Sequence, residues 1–218
     1  LTCNTSWIEI TRELREGEQV QDRPDLVARV FKLKKDQLMK DIRSGSILGK
    51  VPAFLWVIEF QKRGLPHTHI LVILANDDRV TCSADVDNII SAQLPPDPAL
   101  FLDGSDEKSQ AERLEKIVVQ NMIHGPCGAL NPTSLCMVDG KCSKNYPKNF
   151  CEKTILSSNS TYPEYQRLEP EKGGRTIIVN IKNKTFEIDN RWIVPYSPFI
   201  ILKFSCHANI ETCLSPTA

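Results

Sequence analysis

The chain has 218 residues, of which 41% are hydrophobic and 25% charged, and its 27 basic and 27 acidic side chains cancel. This composition is typical of a globular protein, and a chain of this length forms one domain or one domain with a small module. The sequence has no apolar run of about eighteen residues, and its first residues lack the pattern of a signal peptide. We therefore expect a soluble intracellular protein and exclude membrane insertion and secretion.

A net charge of zero does not favour nucleic-acid binding, because proteins that bind phosphates usually carry an excess of lysine and arginine. Basic residues are nevertheless concentrated between Lys32 and Arg43, and again at Lys62 and Arg63. The first group fits a local basic face and a solvated helix surface equally well.

The hydrophobic pattern predicts helices and strands in mixed order. Helical spacing is found in three segments. All three precede a run without periodicity over 125–154, which is rich in Gly, Pro, Asn, Lys and Cys. The predicted helices are 24–43, 83–93 and 110–122. The predicted strands are 53–61, 66–74, 176–181, 185–188, 199–204 and 207–211. This order favours an α+β fold with a small inserted module.

The pair His67 and His69 lies in the second of two strand-like apolar runs. Because side chains alternate along a strand, both imidazoles face one side, and so do Glu59 and Gln61 on the preceding strand. The short connection with Gly64 favours a hairpin that pairs the two strands. Two imidazoles and one side-chain oxygen would form an open three-ligand metal site.

Mixed nitrogen and oxygen ligands suit Mg²⁺ or Mn²⁺, and imidazole favours Mn²⁺ of the two. The third ligand is Gln61 or Glu59. The alternative is that His67 and His69 are ordinary solvent-facing strand residues.

Eight cysteines are present, and without a secretory signal they indicate metal ligation rather than disulfides. Three of them, Cys127, Cys136 and Cys142, follow His124 at short spacings in the segment without periodicity, with Cys151 nearby. This set predicts a structural Zn²⁺ site, in which Cys151 is the alternative to His124. Buried free thiols are the competing interpretation.

Strand cleavage by a tyrosine is one use of a His-x-His metal site, so the tyrosines matter. The four tyrosines, at 146, 162, 165 and 196, lie near prolines and on no convincing helix. We expect turn and core roles for them and assign no catalytic residue.

Six segments together resemble one family. They are LTCN at 1–4, RPDLVARVF at 23–31, IEFQKRGLPHTH at 58–69, MIHGPCG at 122–128, DNRWIVPY at 189–196 and KFSCHANIE at 203–211. The chain resembles the replication-initiator nuclease region, or helitron helicase-like N-terminal domain, of Helitron rolling-circle transposases.

The resemblance implies the His-hydrophobe-His endonuclease fold, a central antiparallel sheet with flanking helices whose middle strands carry the metal ligands. It assigns Gln61, His67 and His69 to the metal, with Thr68 at the position where an apolar residue is usual. It also implies that Lys62 and Arg63 neutralise the phosphates of single-stranded DNA. The nuclease domain would comprise 1–123 and 155–218, and 124–154 would be a zinc-binding insertion.

The family cuts DNA with two tyrosines on a helix after the last strand, and a helicase domain follows. This chain contains neither, so we expect a fragment truncated at both ends that binds metal and DNA without forming a phosphotyrosine. The implied function is metal-dependent nicking and strand transfer of single-stranded DNA in the nucleus. The alternative is a catalytically inactive DNA-binding or structural zinc module derived from a transposon.

Overall fold

The computed structural model describes residues 1–61, 64–157, 160–181 and 184–214. The chain forms two compact units. The first comprises Leu1–Thr81 and Phe199–Ala208, and the second comprises Cys82–Pro198 and Asn209–Ala218. These units divide the chain near Thr81 rather than at 124 and 154, and the two-domain boundaries expected from the sequence stay a prediction.

Five helices and six strands are described. The helices are α1 (Ile8–Thr11), α2 (Pro24–Arg43), α3 (Ser83–Ile89), α4 (Asp106–Asn121) and α5 (Pro198–Phe204). The strands are β1 (Ala53–Phe60), β2 (Pro66–Ile73), β3 (Met137–Val138), β4 (Lys141–Cys142), β5 (Thr176–Ile181) and β6 (Lys184–Asp189). They pair antiparallel as β1 with β2, β3 with β4, and β5 with β6.

Helix α2 supports the hairpin of the first unit. It begins at Pro24, whose fixed φ and missing N–H suit the first helical position. Its buried side chains, including Val27, Phe31 and Leu38, recur at helical spacing. The predicted bounds of this helix are confirmed. In the described ranges no helix has the length and apolar character that crossing a membrane requires.

The β1–β2 hairpin is extended at its β2 edge by two short backbone segments. The N–H of Thr68 donates to the carbonyl of Leu1 at 2.9 Å, and the N–H of Thr2 donates to the carbonyl of His207 at 2.9 Å. Thr2 also forms an antiparallel bridge with His67. The order across this layer is therefore β1, β2, residues 1–3 and residues 205–207.

The α+β prediction is confirmed as a mixed α/β protein with small antiparallel sheets. The predicted single central sheet is not what the described residues form, because their regular strands make three separate two-stranded sheets. Next to β2 the pairing is limited to a few hydrogen bonds. Ser205, with a φ of 47°, departs from extended geometry there.

The prediction of a strand at 199–204 is wrong, because these residues lie in helix α5. A short apolar run does not separate a buried strand from a buried helix. Pro198 at the first helical position and the burial of Ile200, Ile201 and Phe204 along one stripe account for the helix. The predicted strand at 207–211 is also wrong, since that segment is irregular.

The second unit has a core in which the cysteine-rich segment takes part. Ile188 and Trp192 are buried there together with Cys127 and Cys142. Strands β3 and β4 join through Asp139 and Gly140, both with positive φ, as the tight two-residue hairpin turn requires. The cysteine-rich segment is thus packed on apolar side chains of β5, β6 and the turn after them.

Candidate metal centres

Four soft or borderline ligands meet in the second unit. The ligand atoms of His124, Cys127, Cys136 and Cys142 all lie within 4.8 Å of one another. The Nε2 atom of His124 is 3.4 Å from the Sγ atom of Cys142. We call these four residues the Cys/His cluster.

Local backbone contacts hold the cluster. Just beyond the end of α4, the N–H of His124 donates to the carbonyl of Trp192 at 2.8 Å. The His124 ring stacks on Tyr146, with centroids 4.1 Å apart and planes 10° apart. The tight β3–β4 turn brings Cys136 and Cys142 together, since the N–H of Ser143 donates to the carbonyl of Cys136 at 2.7 Å.

The surroundings of the cluster shift the pKa values of its thiols in opposite directions. Burial, and then the neighbouring thiols of Cys142 and Cys136, raise the pKa of Cys127 to about 12. Burial also opposes ionisation of Cys142, but backbone N–H groups of Tyr146 and Lys144 outweigh it and lower its pKa. Burial, with Lys148 and Lys144, lowers the pKa of His124 and favours the neutral ring that binds metals.

The donor set fits a tetrahedral ion. Ligands at about 2.0 to 2.3 Å from one Zn²⁺ stand roughly 3.3 to 3.8 Å apart. The 3.4 Å between His124 and Cys142 is in this range, and all four ligand atoms lie within 4.8 Å of one another. A bound cation would also stabilise the thiolate of Cys127, whose pKa is raised first by burial and then by the neighbouring thiols. The cluster could therefore bind a metal such as zinc, and it has the four protein ligands of a closed structural site.

Cys151 lies outside this cluster. Its thiol donates to the carbonyl of Lys153 at 2.7 Å, and its backbone pairs with Arg167. Of the two candidates for the fourth position, geometry brings His124 to the three cysteines.

The histidine pair lies on one face of the β1–β2 hairpin. In the register, Glu59 is opposite His67 and Val57 is opposite His69. Directly opposite residues of an antiparallel pair share a face. The two imidazole centroids are 4.6 Å apart in an edge-to-face arrangement, and the Nε2 atom of His69 is 3.3 Å from the Oε2 atom of Glu59. We call Glu59, His67 and His69 the hairpin triad.

The sequence left the oxygen ligand open between Gln61 and Glu59, and the geometry favours Glu59. Gln61 follows the last residue of β1, where its N–H donates to the carbonyl of Leu65 at 2.9 Å. The DNA-contact prediction for Lys62 and Arg63 lies outside the described residues.

The hairpin triad is open to solvent. The side chains of His69 and Glu59 are 59% and 65% exposed. Burial, and then nearby positive charge including His69 and His207, lower the pKa of His67 to about 4. Among the described residues, only the Cys/His cluster brings three or more such ligand atoms close enough together to hold a metal ion, so a divalent ion at the hairpin triad stays a prediction.

One contact of the hairpin triad was not predicted from the sequence. The Oγ1 atom of Thr2 is 2.7 Å from the Nδ1 atom of His67. Sequence spacing carries no signal for this pair, because 65 residues separate the two. Only the pairing of the first residues with β2 brings them together.

Three of the four tyrosines have core roles, as expected. The hydroxyl of Tyr196 donates to the carbonyl of Gln93 at 2.9 Å, and that of Tyr165 accepts from the N–H of Thr212 at 2.9 Å. Burial raises the pKa of Tyr196 to about 12, which makes a poor nucleophile. Tyr146 stacks on His124.

Comparison with protein families supports the resemblance seen in the sequence. Residues 1–72 match the family model described as the Helitron helicase-like domain at the N-terminus. The matched segment contains α2, β1 and all three residues of the hairpin triad. A search of curated proteins found no match.

Proposed function

We propose, from the match of residues 1–72 to the family model of the Helitron helicase-like domain at the N-terminus, that this chain is a metal-dependent DNA-processing domain. Its activity would be nicking and strand transfer of single-stranded DNA in a rolling-circle, Helitron-type transposase. The observation that most directly supports this activity is that Glu59, His67 and His69 share one exposed face of a hairpin inside the matched segment.

In this proposal each residue of the triad has a defined part. His67 and His69 present imidazole nitrogens on the same side of β2, and Glu59 would supply the oxygen ligand from a carboxylate whose Oε2 atom is 3.3 Å from the Nε2 atom of His69. A bound Mg²⁺ or Mn²⁺ would polarise the scissile phosphate. Solvent exposure of His69 and Glu59 leaves room for a DNA backbone to approach.

The covalent step would use a tyrosine on a following helix. Its hydroxyl oxygen bonds to phosphorus as the bond from phosphorus to the 3′ oxygen breaks, which leaves a 5′-phosphotyrosine and a free 3′-hydroxyl. A helicase domain fused after this region would separate the strands, and Lys62 and Arg63 would neutralise phosphates near the triad. We also propose that the protein acts in the nucleus.

Calorimetric titration of the chain with Mn²⁺ tests the site. We expect His67→Ala to abolish Mn²⁺ binding, because it removes one of the two imidazole ligands. The circular dichroism spectrum should stay unchanged. Anisotropy of a labelled single-stranded oligonucleotide should increase with Mn²⁺ for the wild-type chain and not for the variant. An unchanged Mn²⁺ affinity in His67→Ala would overturn the proposal.

A second function is favoured by the Cys/His cluster. We propose that it holds one structural Zn²⁺ that stabilises the cysteine-rich segment against the core of the second unit. Metal analysis of the purified chain should find about one zinc, and a strong chelator should release it with loss of ordered structure. A zinc-free chain that is equally stable would contradict this proposal.

The remaining alternative is a catalytically inactive DNA-binding or structural zinc module derived from a transposon. The two proposals differ in the Mn²⁺ titration, because an inactive module would retain zinc without binding Mn²⁺ at the hairpin.

A further inference from the structure

We propose that Thr2 is a positioning residue for the hairpin triad, which orients the His67 ring through its Nδ1 atom and leaves Nε2 as the nitrogen available to a cation. This inference rests on the proposed function of the triad. Its evidence is a contact on the side of His67 that faces away from β1.

Backbone pairing determines where the Thr2 side chain lies. Thr2 forms an antiparallel bridge with His67, which in turn is opposite Glu59. Directly opposite residues share a face. Glu59, His67 and Thr2 therefore form a polar row across the layer, on the face that carries the triad.

The backbone of Thr2 is held on both sides. Its neighbours Leu1 and Cys3 exchange hydrogen bonds with β2, and its own N–H donates to the carbonyl of His207 at 2.9 Å. A residue anchored in this way presents its hydroxyl from a fixed position, so the hydrogen bond to His67 costs little additional side-chain entropy.

A threonine hydroxyl can donate to Nδ1 or accept from it, and we assign to this contact the tautomer in which Nδ1 of His67 carries the proton. With Nδ1–H donating to the Thr2 hydroxyl oxygen at 2.7 Å, the lone pair of the imidazole is on Nε2. Metal-binding histidines generally donate their other ring N–H to an oxygen in this manner, which fixes both tautomer and ring orientation.

The hydroxyl of Thr68, the residue that follows His67, has a different partner from the hydroxyl of Thr2. The hydroxyl of Thr68 donates to the carbonyl of Val57 at 2.8 Å and thus satisfies the hairpin backbone. Thr68 is almost fully buried, whereas Thr2 is half-buried and its hydroxyl contacts a ring of the triad. The hydroxyl of Thr2 therefore serves the triad and not the backbone.

The test compares Thr2→Val, which keeps the shape and removes the hydroxyl, with Thr2→Ser, which retains it. Long-range ¹⁵N–¹H spectra of the metal-free chain at pH 7 report the tautomer of His67. We expect the Nδ1–H form in the wild type and in Thr2→Ser, and a mixture in Thr2→Val. Thr11→Val, on the exposed end of α1 in the same unit, is the control and should leave the spectrum unchanged.

Calorimetry with Mn²⁺ supplies the second readout. Loss of the oxygen partner should weaken Mn²⁺ binding of Thr2→Val by about 10- to 100-fold, and Thr2→Ser should restore most of it. An Nε2–H tautomer in the wild type, or a tautomer that Thr2→Val does not change, would overturn the role of Thr2. Loss of the tautomer preference in a chain that binds no Mn²⁺ would instead retain that role and refute the proposed metal function.

Discussion

The Cys/His cluster and the hairpin triad are two candidate metal centres with opposite surroundings. In the cluster, buried Cys127 and Cys142 join His124 and Cys136 with their ligand atoms within 4.8 Å. In the triad, a carboxylate and an imidazole that are both more than half exposed are joined by one half-buried ring. The number of protein ligands and their exposure separate a closed site from an open one.

The difference in ligand number and exposure indicates what each site is suited for. Four protein ligands around Zn²⁺ leave no position for a substrate, so such a site stabilises a fold. In the proposed function, the three residues of the triad would hold a harder ion weakly and leave positions for water or phosphate. Each of the following experiments changes a residue of one of the two sites or measures a property in which the two sites should differ.

The largest effect is expected from Cys142→Ser in the cluster. A serine oxygen is a poor zinc ligand, and structural zinc contributes about 10 to 16 kcal/mol of apparent binding free energy in small domains. We expect zinc content measured by mass spectrometry to fall to near zero and thermal unfolding of the second unit to occur at a much lower temperature.

Cys151→Ser is the matched control, because that thiol lies in the same segment but donates to Lys153. A serine hydroxyl can make the same bond. Equal zinc content in Cys142→Ser and Cys151→Ser would contradict the closed-site interpretation.

The pH dependence of metal binding should differ between the two sites. At pH 7 the thiol of Cys127, with a pKa of about 12, is protonated and must release its proton when zinc binds. The ring of His67, with a pKa of about 4, is already neutral and releases none. Each released proton changes affinity about tenfold per pH unit, so zinc binding should weaken steeply as the pH falls.

Calorimetry in two buffers of different ionisation enthalpy counts these protons directly. We expect about one to three protons released per zinc, and a smaller number per Mn²⁺ at the triad. If Zn²⁺ and Mn²⁺ released equal numbers of protons, the expected difference between the two sites would be contradicted.

The smallest effect concerns the oxygen ligand of the triad. Because Glu59 contacts His69 and Gln61 lies beyond the end of β1, we expect Glu59→Gln to weaken Mn²⁺ binding by about tenfold, or ~1.4 kcal/mol. Gln61→Leu should change it by less than about twofold.

Glu187→Gln, an exposed carboxylate on β6 of the other unit, is the control for lost charge. A larger effect of Gln61→Leu than of Glu59→Gln would restore Gln61 as the ligand. Both variants are read by the same Mn²⁺ titration.

Elements with a clear periodic pattern were predicted well. Helix α2 has the predicted bounds, and both long hairpins pair as expected. The Cys/His cluster also assembles the four predicted residues, because short spacings in a segment held by tight turns restrict where the ligands can go.

The errors come from places where local sequence is ambiguous. The run at 199–204 is short and apolar throughout, so its sequence suits a strand or a helix, and packing of Ile200, Ile201 and Phe204 decided for the helix α5. The single central sheet is not confirmed, since the regular strands of the described residues form two-stranded sheets and strand pairing depends on distant partners.

The sequence by itself determined the helical stripe of α2, the alternation that puts His67 and His69 on one face, and the close spacing of the cluster ligands. These features depend on fixed local periods and short loops. Only the tertiary structure decided that Glu59 contacts His69, that His124 rather than Cys151 joins the cysteines, and that Thr2 reaches His67. Such contacts depend on strand register and on the pairing of distant segments, and no local pattern encodes them.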